Sequence, residues 1–295
     1  LYFVPTEESG VNLIFEGLHP QDIHITGNTV VDAVYRNLKI AENYSNLNFD
    51  IKKDFITLTL HRAENTDNPQ RLKNITDALL ELKEIDIIFP VHPRTIKTLQ
   101  ELKLYDQLAR ADHIQLMKPA GYLDFLVILS HSKAVITDSG GIQEEAITMD
   151  LPCITLRYNT ERPETVTAGG NILVGTDKER IIQTVQNILE DEELYQRMSQ
   201  AENPYGDGKT SQKIVDIITE AYENGNLKIR PPENIGGLEG RFIQKVEESI
   251  DVLRYEEKNA STRIIVVFDG DKAQFPHGNL QLKGKTIILE RFSVE

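Results

Sequence analysis

The sequence predicts an α/β fold built on a doubly wound parallel sheet, followed by a small α/β tail module. Three observations lead there. Between Asp22 and about Tyr222, short apolar runs alternate with helical patterns, the order that builds parallel sheets with crossover helices. The runs are β-branched and lack polar alternation, as expected of strands buried on both faces. One of them ends in Thr137-Asp138 and passes through Ser139-Gly140-Gly141 into a helix. In open α/β sheets ligands bind at such strand-to-helix junctions.

Taken in order, the opening LYFVPTEE is strand-like and has no initiator methionine, so the sequence is expected to begin inside a longer protein. Strands are expected at Ile23–Thr26, Phe55–Leu60, Ile87–Val91, Ile114–Met117, Ala134–Thr137, Cys153–Leu156 and Ile172–Val174. Helices are expected at Thr29–Glu42, Asn68–Lys83, Gly121–His131, Ile142–Met149 and Lys178–Leu189. In the second of these, Leu72, Ile75, Leu79 and Leu82 recur at helical spacing. From Asn224, NGNLKIRPPENIGGLEG reads as a linker. Beyond it Arg241–Tyr255 carries Phe242, Val246, Ile250 and Leu253 on one helical face, followed by strands at Ile264–Phe268 and Thr286–Leu289. The expected organisation is a binding domain over 1–223, a linker over 224–240 and a tail module over 241–295. The tail has too few elements for an independent core.

Composition narrows the function classes. The 295 residues suit one large domain or two smaller ones, and 40% hydrophobic content is ordinary for a globular protein. The apolar runs are too short to cross a bilayer, so no membrane role is expected. A net charge of −14 argues against nucleic-acid binding by the main domain. The lone Cys153 supports neither a disulfide framework nor a cysteine metal cluster, and points to a reducing cytoplasm.

The chemistry-bearing residues gather at expected strand ends. His61-Arg62-Ala63-Glu64-Asn65 comes directly after Phe55–Leu60. There a neutral imidazole can assist a leaving group, Arg62 can pair with an anion, and Glu64 or Asn65 can cap the next segment. His92 and Arg94 repeat the pairing after the next strand, and Pro93 stiffens the backbone between them. Each group reads equally as a structural histidine with surface ion pairs. His113 and His131 read as surface or packing histidines. Gly121-Tyr122-Leu123-Asp124-Phe125 offers a turn and an aromatic suited to a flat base, or simply a core aromatic. Ser139, Gly140 and Gly141 offer backbone N–H groups at a helix start, and glycine lets a phosphate come close. Glu145, a turn further in, can accept from sugar hydroxyls. The same residues also describe an ordinary strand-to-helix turn. The glycine spacing fits neither the dinucleotide fingerprint nor a P-loop. Arg162, at a helix start in NTERPE, can grip phosphate or sugar oxygens, or hold a surface ion pair.

HRAEN, VHPR, GYLDFL, TDSGGIQEEA, TERPETVTAGGNILVGTD and YGDGK, together with FVPTEES…ITGNTVVDA, occur in one order over residues 1 to about 222. This set resembles the UDP-N-acetylglucosamine 2-epimerases. The resemblance implies a glycosyltransferase-B-like architecture of two Rossmann-like domains with the UDP-sugar between them, this sequence carrying the second domain and a remnant of the first. It implies no metal or redox cofactor, UDP-GlcNAc or UDP as ligand, and a homodimer in the full-length form. The reaction is non-hydrolysing interconversion of UDP-GlcNAc and UDP-ManNAc: UDP is eliminated across C1–C2, then re-added after the C2 proton returns to the opposite face. By match, His61 assists the diphosphate, Ser139 and Gly141 bind phosphate, Glu145 the ribose, Phe125 the uracil and Arg162 the ligand oxygens. Arg62, Glu64, His92 and Gly140 complete the expected set.

In the family the carboxylates that move the C2 proton lie on the first domain, so the chain alone is expected to bind UDP weakly and not to epimerise. Ala63 and Ala120 stand where bacterial members often have Arg and Gln. A bacterial-type allosteric site is therefore not expected, and the contact at 120 falls to main chain or is lost. A hydrolysing epimerase, a UDP-sugar transferase and a non-catalytic nucleotide-binding module are the alternatives. The tail, with TRIIVVFDGDKAQFPHGN and KTIILERFSVE, resembles the start of a YacP-like NYN (PIN-like) domain. In that case Asp269 would belong to an acidic metal cluster, but a single FDGD is more simply read as a plain strand-end turn, since hard cations usually need several oxygen ligands.

Overall fold

The structure is a computed structural model. It describes residues 1–16, 18, 20–44, 54–227, 250–258, 261–268 and 286–292. Its contacts form two compact units, one built from Leu1–Asp32 and Pro204–Arg291, the other centred on Ala33–Asn203.

In the first unit, strand β1 (Tyr2–Val4) and helix α1 (Glu7–Phe15) lead to β2 (Ile23–Ile25). Thr6 caps α1 by accepting from Ser9 N–H at 3.2 Å. β1 and β2 pair in parallel. Helix α2 (Thr29–Tyr44) begins in this unit and runs through the boundary.

The second unit then builds strand by strand: β3 (Phe55–Thr59), α3 (Ala63–Thr66), α4 (Pro69–Glu81), β4 (Asp86–Pro90), α5 (Pro93–Glu101), α6 (Tyr105–Ala109) and β5 (Ile114–Met117). It continues with α7 (Tyr122–Ser130), β6 (Ala134–Thr137), α8 (Gly140–Thr148), β7 (Cys153–Thr155), α9 (Pro163–Thr167), β8 (Asn171–Leu173), α10 (Lys178–Glu190) and α11 (Glu192–Ser199). The six strands pair in parallel in the order β5-β4-β3-β6-β7-β8. Numbered within the sheet, that order is the Rossmann arrangement, with its switch point between β3 and β6. Every expected strand of this unit is present, within a residue or two at the ends.

Strand residues alternate between two buried faces. Ile56, Leu58, Ile87, Phe89, Ile136 and Ile154 pack on one side with Leu72 and Leu79 of α4 and Ile181, Val185 and Ile188 of α10. Phe55 and Ile88 meet Ile128 of α7 on the other, where Val135 and Cys153 meet Leu129 of α7 and Ala146 of α8. Helices therefore cover both faces, as doubly wound sheets require.

Several boundaries differ from the sequence reading. Glu64 and Asn65 do not cap the segment after them; both lie inside α3, with Arg62 at its N-cap. The capping falls to Asn68, whose side chain accepts from Gln70 and Arg71 N–H ahead of α4, with Pro69 at the first helical position. α8 starts two residues earlier than expected, so Gly140 and Gly141 are its first turn rather than a separate one.

The chain returns to the first unit with α12 (Thr210–Glu223). Asp32 caps it from α2, accepting from Thr210 N–H at 3.1 Å and Ser211 N–H at 2.8 Å. Burial alone would raise the Asp32 carboxyl, but the Ser211 and Thr210 donors hold it below its usual range. The tail consists of β9 (Ile250–Lys258), β10 (Ser261–Phe268) and β11 (Thr286–Phe292), in the order β11-β10-β9 with β9 and β10 antiparallel. The helix expected over 241–255 is thus corrected to strand from Ile250 onward; 241–249 lies outside the described residues. IDVLRYEEK is short and has an adjacent β-former run to pair with, so a backbone ladder wins over a four-residue apolar spacing. Asp269 also lies outside the described residues.

Gly27 is the tightest joint of the first unit. Its φ is +90°, and a Cβ there would lie 2.5 Å from the Tyr205 carbonyl oxygen and 2.7 Å from Thr210 Oγ1. Gly27→Ala is expected to destabilise by about 2 kcal/mol or more, through a left-handed φ and a backbone clash together. Urea unfolding of the variant beside the parent checks it; an unchanged midpoint would contradict the geometry.

Candidate functional site

The switch point puts the loop after β3 beside the loop after β6. Asp138, the residue after β6, is fully buried. Its Oδ2 accepts the backbone N–H of Arg62 at 2.9 Å and the Asn65 amide at 3.3 Å. The His61 N–H bridges both carboxylate oxygens, at 3.1 and 3.2 Å, and His61 Nδ1 lies 3.3 Å from Oδ1. Burial pushes the Asp138 carboxyl upward, against the pull of the Arg62 N–H and the His61 ring and N–H. The neighbouring strands are also joined by hydroxyls: Thr59 Oγ1 and Thr137 Oγ1 are 2.6 Å apart, and Thr137 accepts from Ser139 N–H at 2.9 Å. Ser139 is thereby held as the N-cap of α8, while its own side chain makes no cap hydrogen bond.

Around the start of α8 the charges form two linked pairs. Arg157, buried just after β7, donates to Glu64 at 2.7 Å and to both oxygens of Glu161 at 2.6 and 2.9 Å. Its guanidinium holds the Glu161 carboxyl down to about 2. A Cβ on Gly140 would lie 3.5 Å from Glu161 Oε2 and 3.8 Å from Arg62 Nη2, so these two side chains flank the helix start. Arg62 Nε is buried without a hydrogen-bond partner among the described residues. Arg162 forms the N-cap residue of α9 and donates through Nε to Glu144 and through Nη1 to the Glu161 carbonyl.

The 159–165 loop rests on a buried amide network. Gln143 Oε1 accepts from Thr160 Oγ1 at 2.6 Å and from Asn171 Nδ2 at 3.0 Å. Asn171 also donates to Thr165 Oγ1 at 3.0 Å and accepts from Thr155 Oγ1 at 2.7 Å. With all these groups satisfied the network is a rigid support.

Glu145 sits one turn into α8. Tyr122, at the start of α7, hydrogen-bonds to its carboxylate and also to Asn37 of α2, while Glu145 Oε2 is buried with no partner among the described residues. Burial pushes the Glu145 carboxyl up to about 7, with Tyr122 pulling down and Glu144 pushing further up. Phe125, on α7, packs partly buried against Leu129, Val135 and Ala146. His92 is the N-cap of α5, its Nδ1 accepting from Arg94 N–H at 3.3 Å. His113, partly buried, and His131, exposed, bond the carbonyls of Leu79 and Val127, in line with the surface or packing roles expected of them.

The structure thus brings His61, Arg62 and Glu64 near the start of α8, where Ser139, Gly140 and Gly141 lie, with Glu145 further along the helix and Arg162 tied to Glu144 beside it. His92 lies after β4, the next strand. Sequence reading passed over Asp138, Arg157, Gln143, Asn171 and Tyr122. The TDSGG run marks Asp138 as a strand-end residue, but no signal in the sequence pairs Arg157 with Glu64 across 93 positions. Among the described residues no cluster of His, Cys, Asp or Glu could hold a metal, and no helix is long and apolar enough to cross a membrane.

The chain matches the UDP-N-acetylglucosamine 2-epimerase family over residues 1–219. It is 47% identical over 225 residues to a UDP-N-acetylglucosamine 2-epimerase of Methanocaldococcus jannaschii, covering 74% of this chain and 60% of that protein. The Methanococcus maripaludis enzyme of the same name is 42% identical over 224 residues, covering 73% and 60%. The M. jannaschii UDP-GlcNAc 2-epimerase solved in complex with UDP-GlcNAc and UDP aligns with a TM-score of 0.66 at 45% identity, over 74% of this chain and 61% of that one. This chain spans about 60% of the length of the curated relatives it matches.

The raised Glu145 carboxyl has a consequence for stability. The folded chain keeps this proton up to about pH 7, whereas an unfolded chain releases it near the ordinary value of 4.5. Between those values the folded state binds more protons, so the group costs stability as pH rises and the cost levels off above 7. Glu145→Gln carries no such cost. Its stability relative to the parent is expected to improve by about 3 kcal/mol from pH 4.5 to pH 8. Urea titrations of both proteins at the two pH values measure this, and a pH-independent difference would contradict it.

Proposed function

The chain belongs to the UDP-N-acetylglucosamine 2-epimerase family, and from that premise we propose that the Ala33–Asn203 unit holds the UDP part of UDP-N-acetylglucosamine for non-hydrolysing epimerisation at C2. In this reading the N–H groups of Gly140 and Gly141 and the Ser139 hydroxyl take the diphosphate at the start of α8, where the helix dipole favours an anion. His61 and Arg62 face the same diphosphate from the loop after β3. Glu145 accepts from the ribose hydroxyls through Oε2, which has no partner among the described residues, and Phe125 lies against the uracil. Arg162, Glu64 and His92 complete the rim around the ligand oxygens.

The observation that carries the proposal is Gly141. Neither Gly140 nor Gly141 has a positive φ, and a Cβ on Gly141 would meet no atom within 4 Å. The fold therefore does not demand glycine at 141, whereas close approach of a phosphate to the backbone does.

Chemically, elimination removes the C2 proton, breaks C1–O and leaves the electron pair on a diphosphate oxygen of UDP. Re-addition reverses this after the proton returns on the other face. His61 and the α8 N–H groups serve the departing diphosphate, the charge that grows in the transition state. The resemblance assigns the C2 proton to carboxylates of the family's first domain and to none of the residues proposed here.

The family match ends at 219, which supports a binding domain over 1–223, a linker over 224–240 and a separate tail module over 241–295. A homodimer and a cytoplasmic location belong to the same proposal, resting on the resemblance and on the single buried Cys153.

Titration calorimetry with UDP tests the reading. The parent chain is expected to bind UDP, and Gly141→Ala to lose at least about tenfold in affinity. The melting temperature should hold or rise slightly, because alanine favours a helix over glycine by up to about 1 kcal/mol. Absence of UDP binding by the parent, or equal affinity in both, would contradict it.

A further inference from the structure

We infer that Asp138 is a positioning residue that sets the protonation pattern of His61, an inference that rests on the UDP-site reading for its purpose but not for its geometry. Asp138 is fully buried while the His61 side chain is 43% exposed, so the pair runs from a dry interior to the ligand side. Every group that Asp138 is known to meet here is a donor. Oδ2 takes Arg62 N–H and the Asn65 amide, and both oxygens share His61 N–H. Asn65 cannot turn away, because it also donates to the Leu156 carbonyl at 2.9 Å.

His61 Nδ1 lies 3.3 Å from Oδ1, long for a hydrogen bond but within the range that closes when a ligand arrives. A lone pair on Nδ1 would set two acceptors against each other beside a buried anion, leaving both unmet. Nδ1 therefore carries a proton, and Nε2 is the nitrogen left for the ligand. When Nε2 is also protonated, the imidazolium donates to a diphosphate oxygen while Asp138 balances its charge from behind. The backbone contacts fix the ring's base at the same time. The Asp138 carboxylate is thus both the anchor of the 61–65 loop and the partner that orients the imidazole.

Asp138→Asn separates these two functions. Its amide oxygen can stand at Oδ2 and keep Arg62 N–H and Asn65, with the shared His61 N–H reduced to its 3.2 Å branch. Its NH2 then stands at Oδ1 and donates to His61 Nδ1, which must become the acceptor. The tautomer reverses with the anchor largely kept, which a purely structural role for Asp138 would not produce.

The test is long-range 1H–15N NMR of the histidine rings in the full chain at about pH 8, where a free imidazole is neutral, with His61 assigned by its loss in His61→Gln. The parent is expected to show the Nδ1–H tautomer at His61, and a folded Asp138→Asn the Nε2–H tautomer, with a UDP Kd raised about tenfold. An Nε2–H tautomer or a free-histidine mixture in the parent overturns the inference, and needs no variant to fold. An unchanged tautomer in folded Asp138→Asn overturns it equally. If the tautomer reverses while neither protein binds UDP, the positioning role stands and the UDP reading fails.

Discussion

One buried carboxylate governs the geometry of this site. Asp138 closes the fourth strand of a parallel sheet at the point where strand order reverses, and a charge there is tolerable only if donors surround it. The loop after β3 supplies them: two consecutive backbone N–H groups and the Asn65 amide. Satisfying the anion therefore dictates where residues 61–65 lie, and with them the imidazole of His61 and the guanidinium stem of Arg62. The two loops that flank the switch point are fastened by electrostatics, while apolar contacts hold the sheet beneath them.

A second layer of support surrounds the first. Arg157 ties Glu64, from the loop after β3, to Glu161, from the loop after β7. The amides of Gln143 and Asn171 lock that same later loop to α8. Each is a bond between segments far apart in sequence, so the rim is held from several strands at once. By contrast Glu145 retains a buried oxygen without a partner among the described residues and a carboxyl raised to about 7. Arg62 Nε, beside the start of α8, is likewise buried without a partner among the described residues, and functional sites commonly keep such unsatisfied groups.

The sheet was legible in the sequence because its strands are short apolar runs at regular intervals, and a parallel strand buried on both faces leaves little other reading. Strand-end positions were legible too, which is why His61 and Ser139–Gly141 stood out. The partners that make them a site were not. Asp138 reaches His61 across 77 positions and Arg157 reaches Glu64 across 93, and only the fold brings such residues together. Local signals also misled where they were weak. Glu64 and Asn65 resembled caps but lie inside a helix of four residues, where Asn65 spends its amide on Asp138 and Leu156. Ile250–Tyr255 offered a helical spacing that a neighbouring strand overrode.

In the proposed reading the start of α8 and the loop after β3 together grip a diphosphate. Backbone amide NMR of the 15N-labelled chain during titration with UDP, with uridine as the control, tests it most directly. Saturable shifts are expected at Gly140, Gly141, Ile142, His61 and Arg62 with UDP, and are lost with uridine, which has no phosphate. Equal responses to both, or UDP shifts that avoid these five residues, would contradict it.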